Sequence, residues 1–299
     1  MKTSTAATVA DRTRLSITLR DGRTLSYAVY GPEGGTPFVL FHGTPGSRIS
    51  MEDELFHELG VKMIYPERPG YGQSSPYPAA SFQSWAADTV ELLDHLGYDK
   101  VAVGGGSGGG PFAMACASLH PHRYTSLSLI ASAAPQDLPG YKNGMAFTNK
   151  LGYFLSRYTP FLVRSINRSF AKGLKKDPDK KINQLMGQLC EADQQTIHQM
   201  KEEGTYHVLV DHLLEAYANG VEGHLSDMKI ISRKWDIAYQ AIKCPIYIWH
   251  GEDDTLAPVL GAKALANFLP NATASYIPNA GHLLMENLEV LRGILGKVK

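Results

Sequence analysis

Between residues 15 and 30, LSITLRDGRTLSYAVY, apolar and polar side chains alternate on either side of Asp21-Gly22. Period-two segments flanking an Asp-Gly pair predict an antiparallel hairpin closed by a two-residue turn, because that pair tolerates the left-handed backbone a tight hairpin needs. Further on the pattern changes. FVLF (38–41), MIYP (63–66), VAVG (101–104), LSLIAS (127–132), IYIW (246–249) and ASYI (274–277) are short unbroken apolar runs, the mark of strands buried on both faces of a parallel sheet. Helical patterns lie between the later ones. In SFQSWAADTVELLDHLG, Trp85, Val90, Leu92, Leu93 and Leu96 recur mostly three or four residues apart until Gly97 stops them, the spacing of one helix face. This alternation predicts an α/β chain with a doubly wound, mostly parallel eight-stranded sheet. Ligands of such sheets sit beyond the carboxyl ends of the strands, so the loops there are where chemistry is expected.

One stretch breaks the rhythm. Residues 136–226 read as helices and loops without a strand, a helical cap inserted into a core of residues 15–135 and 227–299, with residues 1–14 as a flexible N-terminal tail. The insertion carries Met145, Phe147, Tyr153, Phe154, Tyr158, Phe161, Leu162, Leu185 and Met186. Most of these are expected in its own core, with a minority facing a pocket. The charged run KGLKKDPDKK (172–181) is expected to be a solvated turn.

The sharpest chemical signal follows the run at 101–104. Gly105-Gly106-Ser107-Gly108-Gly109 satisfies G-x-S-x-G between a strand and a helix, where a serine stands clear of the sheet on a strained turn. Glycines two before and two after the serine allow strand and helix to approach closely. Free N–H groups and the dipole at the helix start favour negative charge beside the serine oxygen. Expected oxyanion donors are the backbone N–H of Gly108 and that of Thr44, in the loop FHGTPGS after residues 38–41. The same glycines also spell G-x-G-x-x-G at Gly104, Gly106 and Gly109. A dinucleotide site is disfavoured, since the pattern lies more than a hundred residues into the chain and SLSLIAS downstream lacks the ribose-binding acid.

A nucleophilic serine needs a base, and the base an orienting acid. Asp253 and Asp254 lie in the loop after IYIW, and His282 in the loop after ASYI. Loops following neighbouring parallel strands converge, so Ser107, an aspartate and His282 can meet. Their chain order is that of enzymes with a serine elbow.

These motifs together resemble the α/β-hydrolase superfamily over roughly residues 15–299: HGTPGS its oxyanion loop, RPGYGQS the loop after its fourth strand, GGSGGG its elbow, HGEDDTLAP its acid loop and NAGH its histidine loop. The resemblance implies a carboxylesterase-like serine hydrolase with Ser107, His282 and, at the fourth position of Gly251-Glu252-Asp253-Asp254, Asp254. It implies that His42 braces the oxyanion loop and that the insertion roofs the site. Glu67 stands where the family commonly has aspartate. Gly106 and Gly108 flank Ser107 where relatives carry bulkier residues, which predicts extra room beside the nucleophile. The expected substrate is a small to medium, mostly uncharged ester, lactone or thioester. An acyltransferase, lyase, cofactor-free peroxidase or ligand receptor on the same fold is the alternative.

Charge and cysteine content narrow the partners. The 29 lysines and arginines balance 29 aspartates and glutamates, so no long-range attraction recruits nucleic acid or a stable membrane partner. Action at a lipid surface would instead predict an exposed amphipathic cap helix. Cys116, Cys190 and Cys244 match neither a disulfide framework nor a zinc site. No cofactor or metal is expected, nor an apolar leader. A cytoplasmic monomer or homodimer acting on a small molecule is the expectation.

Overall fold

The computed structural model describes residues 12–49, 53–138 and 140–298. Strands β1 (Leu15–Thr18) and β2 (Thr24–Tyr30) pair antiparallel, with Leu15 opposite Tyr27. The turn is longer than the Asp-Gly pair implies: the Leu19 N–H donates to the Arg23 carbonyl across residues 20–22, with Gly22 taking the left-handed step at φ +85°. Of the expected tail, residues 1–11 lie outside the described residues, and Arg12 Nη1 is bonded to the Gly31 carbonyl at 2.8 Å.

The remaining strands are β3 (Thr36–Phe41), β4 (Val61–Pro66), β5 (Val101–Gly106), β6 (Tyr124–Ile130), β7 (Ile246–Gly251) and β8 (Ala272–Ile277). Their order is β1-β2-β4-β3-β5-β6-β7-β8. β2 runs antiparallel to β4, and from β4 to β8 every pairing is parallel. Unbroken apolar runs follow from burial on both faces. Along β3, Phe38 and Leu40 enter one core cluster while Val39 and Phe41 enter the other. Each such side chain contributes roughly 1.5–3 kcal/mol of burial energy.

Helices α1 (Glu54–Leu59), α2 (Phe82–His95) and α3 (Gly110–Leu119) connect the first strands. Ser81 and Ser84 cap α2 reciprocally, and Trp85, Leu92 and Leu93 turn inward as the spacing predicts. Between β6 and β7 lie α4 (Phe147–Tyr158), α5 (Pro160–Lys176), α6 (Pro178–Met186), α7 (Glu191–Glu203), α8 (Tyr206–Ala216) and α9 (Glu222–Ile231), with no strand among the described residues. α9 continues past residue 226. Helices α10 (Val259–Phe268) and α11 (Leu288–Leu295) complete the chain. No helix among the described residues is long and apolar enough to cross a membrane.

Two expectations about the insertion need correction. Its core is built from Leu174, Ile182, Met186, Ile197, Tyr217 and Val221, whereas Phe147, Phe154, Tyr158, Phe161 and Leu162 are exposed. α5 turns Val163, Asn167, Ala171 and Leu174 inward, a stripe with the right period that leaves its larger N-terminal residues outside. The run 172–181 is mostly helix. Lys172–Lys176 finish α5, and α6 starts at Pro178, its N-terminus capped by Asp177, which accepts the Lys180 N–H. The lysines are solvated, but from helix faces.

Candidate active site

β5 ends at Gly106 and α3 begins at Gly110, so Ser107 sits on the step between them. Its φ is +50°, a conformation that costs a residue with a Cβ about 1–3 kcal/mol. The surrounding glycines make the step possible. A Cβ on Gly105 would lie 2.4 Å from the Gly109 carbonyl, and one on Gly109 2.4 Å from the Phe41 oxygen.

Asp254 and His282, in the loops after β7 and β8, come to this serine. The Ser107 hydroxyl donates to His282 Nε2 at 2.8 Å, and His282 Nδ1–H donates to Asp254 Oδ2 at 2.7 Å. These partners assign the histidine tautomer. Asp254 Oδ1 accepts the N–H groups of Leu256 and Ala257 at 2.9 and 2.8 Å, and His250 Nε2 lies 3.4 Å from Oδ2. Asp253 is exposed, and the imidazole's carboxylate partner is Asp254.

Burial alone would push the Asp254 carboxyl up, but the charge of His282 and hydrogen bonds from His250 and His282 outweigh it and hold the group below the carboxylate range. For His282, burial favours the neutral ring. The charge and hydrogen bond of Asp254, with Asp193 behind, outweigh that and raise it above the ordinary imidazole value.

Thr44 lies directly against Gly108, the residue after the serine. A Cβ on Gly108 would stand 2.4 Å from Thr44 Oγ1 and 3.3 Å from the Thr44 nitrogen. That N–H donates to no acceptor among the described residues. The room expected beside the nucleophile is filled on one side only. Thr44 occupies the Gly108 side, whereas a Cβ on Gly106 would meet Met285 Sδ at an ordinary contact distance of 3.5 Å, and Gly106 lines the cavity. Gly108 is required because a distant side chain takes the space.

Three buried groups hold the Thr44 loop. His42 donates from Nδ1 to the Gly43 carbonyl at 2.8 Å and accepts the Arg68 N–H on Nε2 at 3.1 Å. Burial keeps the ring well below the usual imidazole range. Arg68 donates from Nη1 to the His42 carbonyl at 2.6 Å and from Nη2 to the Gly43 carbonyl at 2.7 Å. Asp227, on α9, accepts from Arg68 Nη2, Thr44 Oγ1 and the Tyr71 hydroxyl at 2.7, 2.8 and 2.9 Å. Asp193, on α7, does the equivalent for the histidine loop, with Oδ1 accepting the Leu283 N–H at 2.8 Å. Glu67 is also structural. Fully buried, it accepts from Ser26 Oγ, Arg48 Nη1 and the Gln73 N–H.

A cavity of about 120 Å³ opens on Ser107 and His282, walled by Ile130, Val208, Leu209, Met285 and His212 among others. His212 donates from Nδ1 to the Ile49 carbonyl at 2.7 Å, and burial keeps it neutral. Nε2 is then unprotonated. Among the described residues no three metal-ligating side chains cluster.

A family model for the alpha/beta hydrolase fold matches residues 36–287. The chain belongs to that family. It is 28% identical over 272 residues to an uncharacterized hydrolase, YcgS, of Bacillus subtilis, covering 88% of this chain and 90% of the relative. A non-heme chloroperoxidase of Streptomyces lividans is 26% identical, with 92% and 96% covered. Among solved structures, a thermophilic esterase from Thermogutta terrifontis superposes with a TM-score of 0.65 at 25% identity, over 95% of this chain and 98% of that one.

In this α/β hydrolase the residues that sequence reading missed are Arg68, Asp193, His212 and Asp227. Arg68 lies inside RPGYGQS, so its motif was a signal. Asp193 and His212 belong to the insertion and Asp227 to the helix that leaves it, where nothing local distinguishes a carboxylate or imidazole aimed at a core loop from one in water.

Proposed function

We propose that this α/β hydrolase is a carboxylesterase-like serine enzyme cleaving a small to medium, mostly uncharged ester, lactone or thioester. The observation that carries the reading is the continuous relay from Ser107 Oγ through His282 to Asp254, at 2.8 and 2.7 Å. Ser107 attacks the carbonyl carbon while His282 Nε2 takes its proton, and Asp254 stabilises the imidazolium. The oxyanion accepts from the Thr44 and Gly108 N–H groups, and His282 returns the proton to the departing alcohol. Water, deprotonated by the same nitrogen, then releases the acid from Ser107.

Substrate size follows from the cavity. At about 120 Å³ it is somewhat smaller than a cavity of roughly 150 Å³ that admits benzene, and its walls include Ile130, Val208, Leu209 and Met285. An acyl group of a few carbons fits. The helices between β6 and β7 supply Val208 and Leu209 and act as the cap. Free thiols at Cys116, Cys190 and Cys244 suit a reducing, cytoplasmic setting.

The kinship with a chloroperoxidase favours one second reading. Hydrogen peroxide in place of water would take the acyl group from Ser107 and leave as a peracid. Product analysis with each nucleophile separates the two.

Chromogenic esters of increasing acyl length, with a fluorophosphonate label, test the proposal. Hydrolysis should be best for short chains, the label should map to Ser107, and Ser107→Ala should lower kcat by roughly a millionfold. An unlabelled Ser107 in the native protein, or wild-type turnover in Ser107→Ala, overturns it.

A further inference from the structure

The outward face of α4 and α5 combines two features that the hydrolytic site leaves unused. Phe147, Leu151, Phe154 and Tyr158 follow one another at steps of four, three and four residues, so they form a single stripe along α4. Their exposures are 75%, 41%, 58% and 60%. The Phe154 and Tyr158 rings lie 4.9 Å apart. α5 begins two residues later and packs against α4, adding Phe161, Leu162 and Ile166, which are 74%, 41% and 50% exposed. Single exposed apolar side chains are ordinary on a soluble protein. Seven gathered on two adjoining helices make a patch of the kind that marks an interaction surface.

The second feature is charge. The even balance of the whole chain conceals a segment, residues 138–176, with eight lysines and arginines and no carboxylate. Arg157, Arg168, Lys172, Lys175 and Lys176 are exposed, and Arg157 lies with its guanidinium carbon 5.5 Å from the centre of the Tyr158 ring. Among the described residues, Arg164 is the one of the eight that pairs with a carboxylate, that of Glu222 at 2.6 Å.

We propose that the outer face of α4 and α5 docks reversibly on an anionic phospholipid bilayer, with the aromatic stripe entering the headgroup boundary and the cations meeting lipid phosphates. Amphipathic helices that lie in a membrane surface have this division of apolar and basic residues. A second copy of the chain is the poorer occupant. A two-fold contact would set the patch against itself, placing Arg157, Arg168, Lys172, Lys175 and Lys176 against their own copies. Docking would also bring the site to the lipid surface. α5 packs on α8, and α8 contributes Val208, Leu209 and His212 to the cavity wall.

Cosedimentation of the full chain with vesicles of phosphatidylcholine mixed with phosphatidylglycerol, and of phosphatidylcholine alone, tests this independently of any hydrolysis. The chain should pellet with the mixed vesicles at low salt and be released as salt shortens the screening length. The triple variant Phe147→Ser, Phe154→Ser, Phe161→Ser should stay in the supernatant. Arg168→Gln, Lys172→Gln, Lys175→Gln should lower the partition coefficient by roughly a hundredfold, at about fivefold per cation. Unchanged thermal midpoints certify the fold of both variants. Equal partition on the two vesicle types, or wild-type binding by either variant, overturns the proposal. So does a dimer in sedimentation equilibrium that the phenylalanine variant dissolves while vesicles capture nothing.

Discussion

Asp227, on the helix that leads out of the insertion, lies 2.7 Å from Arg68 Nη2, and both side chains are buried. The same carboxylate holds the Thr44 hydroxyl, and the same guanidinium holds the two carbonyls before Thr44. The pair therefore links the insertion to the loop carrying a proposed oxyanion donor. Loss of one such donor outright costs roughly 10² to 10³ in kcat. Asp227→Asn keeps the shape and one accepting oxygen, so a drop of up to about a hundredfold in kcat, with KM little changed, is expected. Asp227→Ala should also destabilise the fold by about 3–5 kcal/mol in urea denaturation, because it strands a buried guanidinium.

Gly108 and Thr44 compete for one volume. Gly108→Ala places a methyl group 2.4 Å from Thr44 Oγ1 and 2.8 Å from its Cβ, so Thr44 must move, and its N–H with it. Turnover should fall by at least about tenfold. Thr44→Gly removes the colliding atoms, and in the double variant the two losses should combine to less than their sum, with a coupling of roughly 0.5–3 kcal/mol in a double-mutant cycle. Strict additivity would show that the two residues do not share this space.

The pH dependence of turnover reports on His282. Its pKa is raised despite burial, and only the neutral ring can accept the Ser107 proton. The acid limb of kcat/KM should therefore lie above the ordinary imidazole value of about 6.5. Asp193 contributes to the rise by its charge, so Asp193→Asn, which still offers Leu283 an acceptor, should move that limb to lower pH. A limb that stays in place in this variant would separate Asp193 from the titration of His282.

Stability should depend on pH through other histidines. Burial lowers His42 and His212, and it lowers His224 to about 4. A lowered histidine binds its proton more readily in the unfolded chain, so these groups leave stability intact above about pH 6.5 and erode it as pH falls below that value. Each contributes a slope of up to about 1.4 kcal/mol per pH unit. His282 has the opposite sign, its contribution being lost as pH rises through its folded pKa. Urea denaturation at pH 7.5 and 5 should give a lower free energy at pH 5. Equal values would mean that the three rings are not held neutral as their burial implies.

How much could be read beforehand differs between the core and the insertion. Strand positions were legible because an unbroken apolar run such as Phe38–Phe41 has both faces buried, and no choice of face is needed. Ser107, Asp254 and His282 were legible because each closes or follows a strand of one parallel sheet, whose loops emerge at the same edge. In α4 and α5 the same reasoning had less to hold. Phe147, Phe154 and Phe161 are as apolar as any core residue, and periodicity marks a stripe without saying which side of the helix finds a neighbour.

By itself, the amino-acid sequence determined what depends on neighbouring residues and on short-range backbone chemistry: the strands, the helix from Trp85 that Gly97 stops, the glycines that let β5 turn into α3, and the strained serine at their junction. Tertiary structure alone decided what fills the space beside that serine. Thr44 lies against Gly108 across 64 residues of chain, Asp193 and Asp227 reach core loops from separate helices, and the aromatic stripe of α4 is exposed among the described residues. Burial and pairing at those places are properties of two surfaces brought together, and neither surface carries the information alone.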